Sequence, residues 1–256
     1  RRQRQMCIRD SNYGIEKSVK EGLISSLGVM VNMPATQHGV DLIKDCPLAL
    51  GVHTNICAGK PLTNPELIPS LVDENGNFKS SKQFRAAKED FVVFEEVVLE
   101  IEAQYQKFLA LFGRQPDYFE GHAVASSNFF KGLETVAEKH GLKYSGFSIG
   151  GAPLTIGNSL VQFNMESMAP HYEPFDMLKR MVAKADDHVV QLAVFHPGYL
   201  DDDILTHSSL TIPRTQEVAM LINPDVKQWL RKQDVELVAS SHFIMGINPF
   251  MRTKPS

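Results

Sequence analysis

Short apolar runs alternate along this chain of 256 residues with longer stretches of helical pattern, and this alternation restricts the fold more than any other feature. Residues 48–53 form one such run, whereas residues 94–112 repeat apolar side chains every three or four positions, as an amphipathic helix does. Gly113 stands where that helix would end on a residue with positive φ. Strands that alternate with helices form parallel βα units, and about six or seven such units favour a barrel over an open sheet. We therefore expect a single α/β domain built as a distorted TIM-like (β/α) barrel.

The same patterns predict the other elements that bear on function. They are strands ending at His122 and His196, a last strand over residues 235–243, and helices over residues 13–22, 128–140 and 224–232. Between the strand at residues 48–53 and the helix at residues 94–112 lies a long segment rich in proline, asparagine and glycine, residues 55–84. Loops of this length usually serve a site, so we expect it to cover the substrate.

Composition excludes several classes of function. The formal net charge of -4 comes from charges scattered along the chain, so we expect no nucleic acid partner. Three cysteines without a C-x-x-C pair argue against a disulfide framework and favour a reducing, cytoplasmic location. The chain has no apolar run of about 18 residues, so we expect no membrane partner.

The first eleven residues, RRQRQMCIRDS, follow neither the helical nor the strand period and are strongly basic. The string resembles the translation of an adapter used to prepare sequencing libraries, and we interpret it as a non-native segment. The alternative is a genuine basic arm for an anionic partner. The expected domain therefore spans residues 12–256, with its first native strand missing or replaced.

Three histidines each follow an apolar or aromatic run, at the position where a parallel strand would end: His53, His122 and His196. The carboxyl ends of barrel strands converge, so these imidazoles are expected to meet. Two imidazoles and a carboxylate would leave a divalent ion open to water and substrate, which is the arrangement of metal-assisted hydrolysis. The alternative is that each is a core histidine bonded to a neighbouring carbonyl. His242, after the last predicted strand, is a further candidate.

With these residues in view, the chain resembles the YdjC-like carbohydrate deacetylases, which include chitooligosaccharide deacetylases. The similarity covers nearly the whole chain from residue 12 onward, and it rests on the motifs NYGIEKSVKEGLISSLGVMVNMP, LGVHTNICAGKPL, SLVDENGNF, EIEAQYQKF, YFEGH, FHPGY and IPRTQEV. The resemblance implies a barrel-like fold of the polysaccharide deacetylase kind. It also implies a divalent ion, usually magnesium, and removal of N-acetyl groups from acetylated sugars or oligosaccharides.

The resemblance assigns roles to individual residues. His53 and His122 match the family's metal ligands. His196 matches a pocket histidine, which would protonate the leaving amine or stabilise the oxyanion. Arg214 matches an arginine that is either an electrostatic residue of the pocket or a helix-start residue, and Asn55, Glu120 and Tyr199 are expected to bind the sugar.

Two departures from the family pattern leave alternatives open. The family's aspartate pair, a metal ligand and the presumed base, would lie upstream of the segment that begins at Asn12, and the third motif continues as HAVAS instead of with more histidines. A barrel sugar isomerase or epimerase and a non-catalytic sugar-binding barrel therefore remain alternatives. Zinc or another transition ion also suits two imidazoles, and a homodimer is left open.

Overall fold

The computed structural model describes residues 9–146, 151–156, 158–186, 188–233 and 235–238. The helices are α1 (Arg9–Lys20), α2 (Thr36–Ile43), α3 (Ser81–Ala86), α4 (Phe94–Phe112), α5 (Ser127–Lys139), α6 (Pro174–Ala183), α7 (Asp202–His207), α8 (Ile212–Ile222) and α9 (Pro224–Arg231), with a short 3-10 helix at Pro65–Leu67. The strands are β1 (Ser26–Val29), β2 (Ala49–Thr54), β3 (Tyr118–Gly121), β4 (Lys143–Tyr144), β5 (Leu154–Ile156), β6 (Ser159–Asn164) and β7 (Val189–Ala193).

The strands form two sheets. The first has the order β1-β2-β3-β4 with every neighbouring pair parallel, and its register places His53 opposite Glu120. The second has the order β5-β6-β7, in which β5 and β6 form an antiparallel hairpin and β6 pairs with β7 in parallel. The α/β class is confirmed. The closed (β/α) barrel is not, because the described strands lie in two separate sheets.

The larger core lies between the first sheet and the helices α4 and α5. Strand β2 is buried along nearly all of its length, as expected for a parallel strand covered on both faces. The apolar stripe of α4 contributes Ile101 and Phe108, which are fully buried together with Phe129 and Leu133 of α5. This packing fixes the end of β2 from which the candidate site begins.

A second apolar cluster joins the two sheets. Ala49 and Tyr118 of the first sheet pack there with Ile156 and Val161 of the second. Since side chains alternate between the faces of a strand, these residues mark the faces that the sheets turn toward each other. The two sheets therefore share an interior, although the strands that the structure describes do not pair between one sheet and the other.

Several predicted elements are confirmed and others are wrong. The helices predicted over residues 13–22, 94–112, 128–140 and 224–232 correspond to α1, α4, α5 and α9. The β5–β6 hairpin was not expected, because antiparallel pairs do not occur in a barrel made only of βα units. The strand predicted to end at His196 instead ends at Ala193, three residues earlier.

The two ends of the chain are described in part. Helix α1 begins at Arg9, so it extends into the string interpreted above as non-native, and that interpretation stays a prediction. Residues 235–238 carry no strand, while residues 239–243, with His242, lie outside the described residues. None of the described helices combines the length and apolar character that crossing a membrane requires.

Candidate active site

A chain of hydrogen bonds links three side chains at the carboxyl ends of β2 and β3. His53 Nδ1 lies 2.7 Å from Glu120 Oε1, and His53 Nε2 lies 2.9 Å from His122 Nδ1. A carboxylate only accepts, so His53 donates from Nδ1 and its Nε2 accepts from the Nδ1–H of His122. This leaves His122 with an unprotonated Nε2. The prediction that His53 and His122 meet at one place is confirmed.

A glycine on the neighbouring strand makes room for this arrangement. Gly28 of β1 lies beside β2, and a Cβ built on it would come within 1.8 Å of Glu120 Oε1 and 3.0 Å of His53 Cβ. Any larger residue there would displace the carboxylate. Because Gly28 has no side chain, Glu120 has room to reach His53.

The Nε2 atom of His122 has the properties of a ligand atom. It is buried and has no hydrogen-bond partner among the residues that the structure describes. Burial first, and then the charges of His53, His196 and Arg214, hold the pKa of His122 well below its usual range, so its imidazole stays neutral. Neutral imidazole is a common ligand of divalent cations.

The described residues provide two ligand positions of a cation site without completing it. The pair of imidazoles, one held by a carboxylate, matches the way proteins orient histidine ligands. In the described part of the chain, however, no group of three or more histidine, cysteine or acidic side chains could hold a metal ion. His53 and His122 would thus be two ligands, and a third would have to come from elsewhere.

His196 lies in the loop that follows β7, and helix α8 holds its backbone. The His196 amide donates to Glu217 Oε2 over 2.5 Å, and its carbonyl accepts from Arg214 Nη1 at 3.4 Å. The ring's Nδ1 lies 3.4 Å from Ser167 Oγ. The loop is therefore fixed at His196 without belonging to a strand.

The ring of His196 interacts electrostatically with His53 and His122. Burial first, and then the charges of Arg214 and His53, lower the pKa of His196 to about 4. His196 also lowers the pKa of His122. The resting imidazole of His196 is therefore neutral near pH 7, and that its ring meets the other two histidines stays a prediction.

Glu217 is a residue of the site that the sequence analysis missed. Its side chain is fully buried and accepts a hydrogen bond from the Tyr172 hydroxyl at 3.0 Å as well as from His196. Burial raises the pKa of Glu217 to about 7, against the opposing effects of these two bonds and of Arg214. The spacing Arg-x-x-Glu in IPRTQEV was a usable signal, because a buried arginine requires acceptors nearby and residues three apart share a helix face.

The sequence matches one protein family over most of its length. The family described as YdjC-like protein matches residues 8–232 of the 256. The chain belongs to the YdjC-like family. The resemblance stated from the motifs is thereby confirmed.

Two relatives of this YdjC-like protein are named carbohydrate deacetylases, and they align with it over most of their length. Carbohydrate deacetylase 2 of Listeria innocua is 32% identical over 238 residues, which cover 89% of this chain and 91% of the relative. A carbohydrate deacetylase of Clostridium beijerinckii is 30% identical with the same shares covered. A crystal structure from Enterococcus faecalis, described as a candidate cellobiose-phosphate cleavage protein, has a TM-score of 0.71 at 22% identity over 89% of this chain and 91% of that one, so the two share a fold.

The residues predicted to bind sugar in this YdjC-like protein lie in different surroundings. Asn55 is fully buried. Its Nδ2 donates to Asn32 Oδ1 and to the Ala58 carbonyl, and its Oδ1 accepts from the Cys57 backbone amide. Glu120 is bonded to His53, and Tyr199 is partly exposed beyond the His196 loop. Tyr199 and the half-buried Glu120 both reach solvent, whereas Asn55 does not, and all three roles in sugar binding stay predictions.

Arg214 lies at the start of a helix, and its charge also lowers the pKa of His122 and His196. It lies in the first turn of α8, where its Nε donates to the Leu210 carbonyl at 2.9 Å, and its Nη1 reaches the His196 carbonyl. The side chain is almost completely buried. A catalytic role for Arg214 and for His196 stays a prediction of the family resemblance.

Two polar residues of α4 anchor the beginning of the long segment at residues 55–84. Gln104 accepts from the Asn55 amide at 3.0 Å and donates to the Asn55 carbonyl at 2.7 Å. Glu100 accepts from the amides of Leu62 and Thr63 at 3.2 Å and 2.9 Å. The first part of the expected cover is thus attached to the core.

Proposed function

We propose that this protein is a hydrolase that removes acetyl groups from acetylated amino sugars or chitooligosaccharides and uses a divalent cation. The observation that carries the proposal is the buried, unprotonated Nε2 of His122 beside His53 and within the electrostatic reach of His196. The names of the relatives supply the substrate class, and the matched family covers all three histidines.

A cation bound by His53 and His122 would polarise the acetyl carbonyl and lower the pKa of water, with magnesium expected from the family and zinc compatible with the imidazoles. Glu120 keeps the His53 proton on Nδ1, so that Nε2 carries no proton. In this structure His53 Nε2 accepts from His122, and it would exchange that hydrogen bond for the cation. The tautomer of each histidine is thereby set before any ligand arrives.

His196 moves the proton in the proposed reaction. Because its pKa is lowered to about 4, the resting ring is neutral and holds no proton to spare for an amine. The proton it delivers must therefore come from the attacking water. As the water oxygen bonds to the acetyl carbon, His196 accepts that proton. It then gives the proton to the sugar nitrogen as the C–N bond breaks, which releases acetate and the free amine.

Acetate release tests this proposal. The chain is incubated with a panel of N-acetylglucosamine oligomers in the presence of magnesium, manganese or zinc, and acetate is measured. We expect release from at least one oligomer, with loss of release in His53→Ala and His196→Ala. Absence of acetate with every oligomer and cation would refute the hydrolase.

A second candidate is a sugar-binding protein without turnover. It is favoured by one observation, namely that no group of three metal-binding side chains occurs among the described residues. Calorimetric titration with the same oligomers separates the two candidates. Binding without acetate release would support the second candidate, whereas an isomerase would convert the sugar while its acetyl group remained in place.

A further inference from the structure

The loop that carries His196 has no secondary structure of its own, yet its backbone is held at three points by one helix. The His196 amide donates to Glu217 Oε2, the His196 carbonyl accepts from Arg214 Nη1, and the Gly198 amide donates to the Arg214 carbonyl at 3.4 Å. Arg214 and Glu217 are one turn apart on α8, so they act from the same face. The helix thus holds the peptide groups on both sides of the His196 Cα.

Glu217 is itself held from the opposite side. Tyr172 precedes α6, and its hydroxyl donates to Glu217 Oε1 while Oε2 receives the His196 amide. Glu217 and the Tyr172 side chain are both buried. A carboxylate with one oxygen bound to each partner has little freedom to rotate, because any rotation breaks a buried hydrogen bond.

We propose that Glu217 is a positioning residue for His196, which fixes the direction of the imidazole through the backbone of the loop and does not itself touch the substrate. Residue 196 directly precedes Pro197 and Gly198, and Gly198 lies against Gly14 of α1. Without Glu217, three contacts of 3.4 Å each would hold the loop, two with Arg214 and one from Ser167 Oγ to the ring, and the imidazole would gain freedom to move. The Glu217 contact removes that freedom at the Cα to which the ring is attached.

Three substitutions of Glu217 should change its two contacts differently. Glu217→Gln keeps an oxygen for the His196 amide and an amino group that can donate to the Tyr172 oxygen, so it preserves both contacts in the same shape. Glu217→Asp shortens the side chain by one methylene and withdraws the carboxylate from His196. Glu217→Ala removes both contacts. Leu221→Ala is the matched control, because Leu221 is buried on the same helix and packs in a separate apolar cluster.

The experiment measures the His196 ring directly. The chain is labelled with 15N-histidine, its His196 resonances are assigned with a His196→Gln variant, and the imidazole nitrogen shifts report the tautomer and its averaging. We expect the wild-type chain and Glu217→Gln to show one fixed tautomer, and Glu217→Ala and Glu217→Asp to show averaged shifts. Leu221→Ala, compared at a similar loss of Tm, is expected to match the wild-type chain.

The kinetic measurement rests on the proposed function, whereas the spectroscopic one does not. We expect Glu217→Asp to lower kcat by roughly 10- to 100-fold with little change in KM, since misplacing a reacting group by about 1 Å has an effect of that size. Glu217→Gln should have the kcat of the wild-type chain. A wild-type chain that releases no acetate would refute the deacetylase while the His196 shifts still decide the role of Glu217. Fixed wild-type shifts in both Glu217→Asp and any folded Glu217→Ala protein would overturn the positioning role.

Discussion

At the scale of single residues, the histidine pair depends on two neighbours that contribute no ligand atom. Glu120 holds the Nδ1 proton of His53, and Gly28 leaves the space that the carboxylate occupies. His53 and His122 were identified as candidates from their positions after apolar runs. The hydrogen bond of Glu120 to His53 was not predicted, because a motif states which residues are adjacent in sequence and not which atoms meet across two strands.

The first prediction concerns Glu120. Glu120→Ala should weaken manganese binding by about 10- to 100-fold, as loss of a carboxylate behind a histidine ligand commonly does. Glu120→Gln should weaken it less, since the amide oxygen can still accept the His53 proton. Gly28→Ala should resemble Glu120→Ala, because its new methyl group displaces the carboxylate. Calorimetric titration with manganese measures all three, and wild-type affinity in Glu120→Ala would show that His53 needs no partner.

The second prediction concerns the pH dependence that Glu217 gives to stability. Its pKa is raised from 4.5 to about 7 in the folded chain, so the folded state holds the proton more tightly than the unfolded state does. The resulting stabilisation is present below about pH 4.5 and is lost as the pH rises through about 7. Between pH 5 and 8 this effect amounts to about 3 kcal/mol at most.

Glu217→Gln should abolish that part of the pH dependence. Urea unfolding at pH 5 and pH 8, followed by the fluorescence of the single tryptophan, Trp229, measures it in both proteins. We expect the variant to gain stability relative to the wild-type chain as the pH rises. A difference between the two proteins that is the same at both pH values would contradict a raised pKa at Glu217.

At the scale of elements, helix α1 packs backbone to backbone against the loop that carries His196. A Cβ on Gly14 would lie 2.6 Å from Gly198 Cα and 2.8 Å from the Tyr199 nitrogen, which are backbone atoms that cannot rotate away. Ser11 of the same helix is buried, and its Oγ would be 3.1 Å from a Cβ on Gly198. Two glycines at one crossing therefore allow the helix to approach the site.

The third prediction is that Gly14→Ala destabilises the protein. Alanine is the better helix former by about 1 kcal/mol, so helix propensity alone predicts stabilisation. The overlap with Gly198 should outweigh that gain and leave a net loss of about 1–3 kcal/mol. Thermal unfolding decides the sign, with the exposed Lys20→Ala on the same helix as the control. A higher Tm in Gly14→Ala would mean that α1 can move away from the loop without loss.

The fourth prediction concerns α4, which holds the start of the long segment at residues 55–84. Gln104→Ala leaves the buried amide and carbonyl of Asn55 without partners, at a cost of about 1–3 kcal/mol for each group. Gln106→Ala on the exposed face of α4 is a matched control and should change stability by less than about 0.5 kcal/mol. Hydrogen exchange should increase at residues 55–63 in the first variant alone, and unchanged protection there would refute the anchor.

The elements show where sequence patterns are sufficient. Helix α4 was predicted at its observed bounds because its apolar stripe and Gly113, which ends it at φ 65°, are local signals. The end of β7 was placed three residues too late, because the apolar run continues through Phe195 after the sheet pairing has stopped at Ala193. A strand ends where its neighbour ends, and the neighbour β6 was not foreseen.

At the scale of the whole molecule, the same limitation explains the barrel. Counting βα units predicts the class of fold, but closure depends on pairing between strands that are distant in sequence. The described chain has a parallel sheet that carries His53 and His122 and a mixed sheet that precedes His196. The strand-end positions of His53 and His122 predicted that these two residues meet, and they do although the closed barrel is not confirmed. The carboxyl ends of neighbouring parallel strands lie together in an open sheet as well as in a barrel.

The last prediction uses this arrangement. A cation that binds the folded chain but not the unfolded one raises stability by about 2.7 kcal/mol at 100 times its Kd. Manganese should therefore raise the Tm of the wild-type chain, and His122→Ala should abolish the rise because it removes the buried Nε2. His140→Ala is the control, since that histidine is hydrogen-bonded to Glu102 of α4. An equal rise of Tm in the wild-type chain and in His122→Ala would place the cation elsewhere on the molecule. Loss of the rise in His140→Ala as well as in His122→Ala would mean that the loss comes from a weakened fold and not from the missing Nε2.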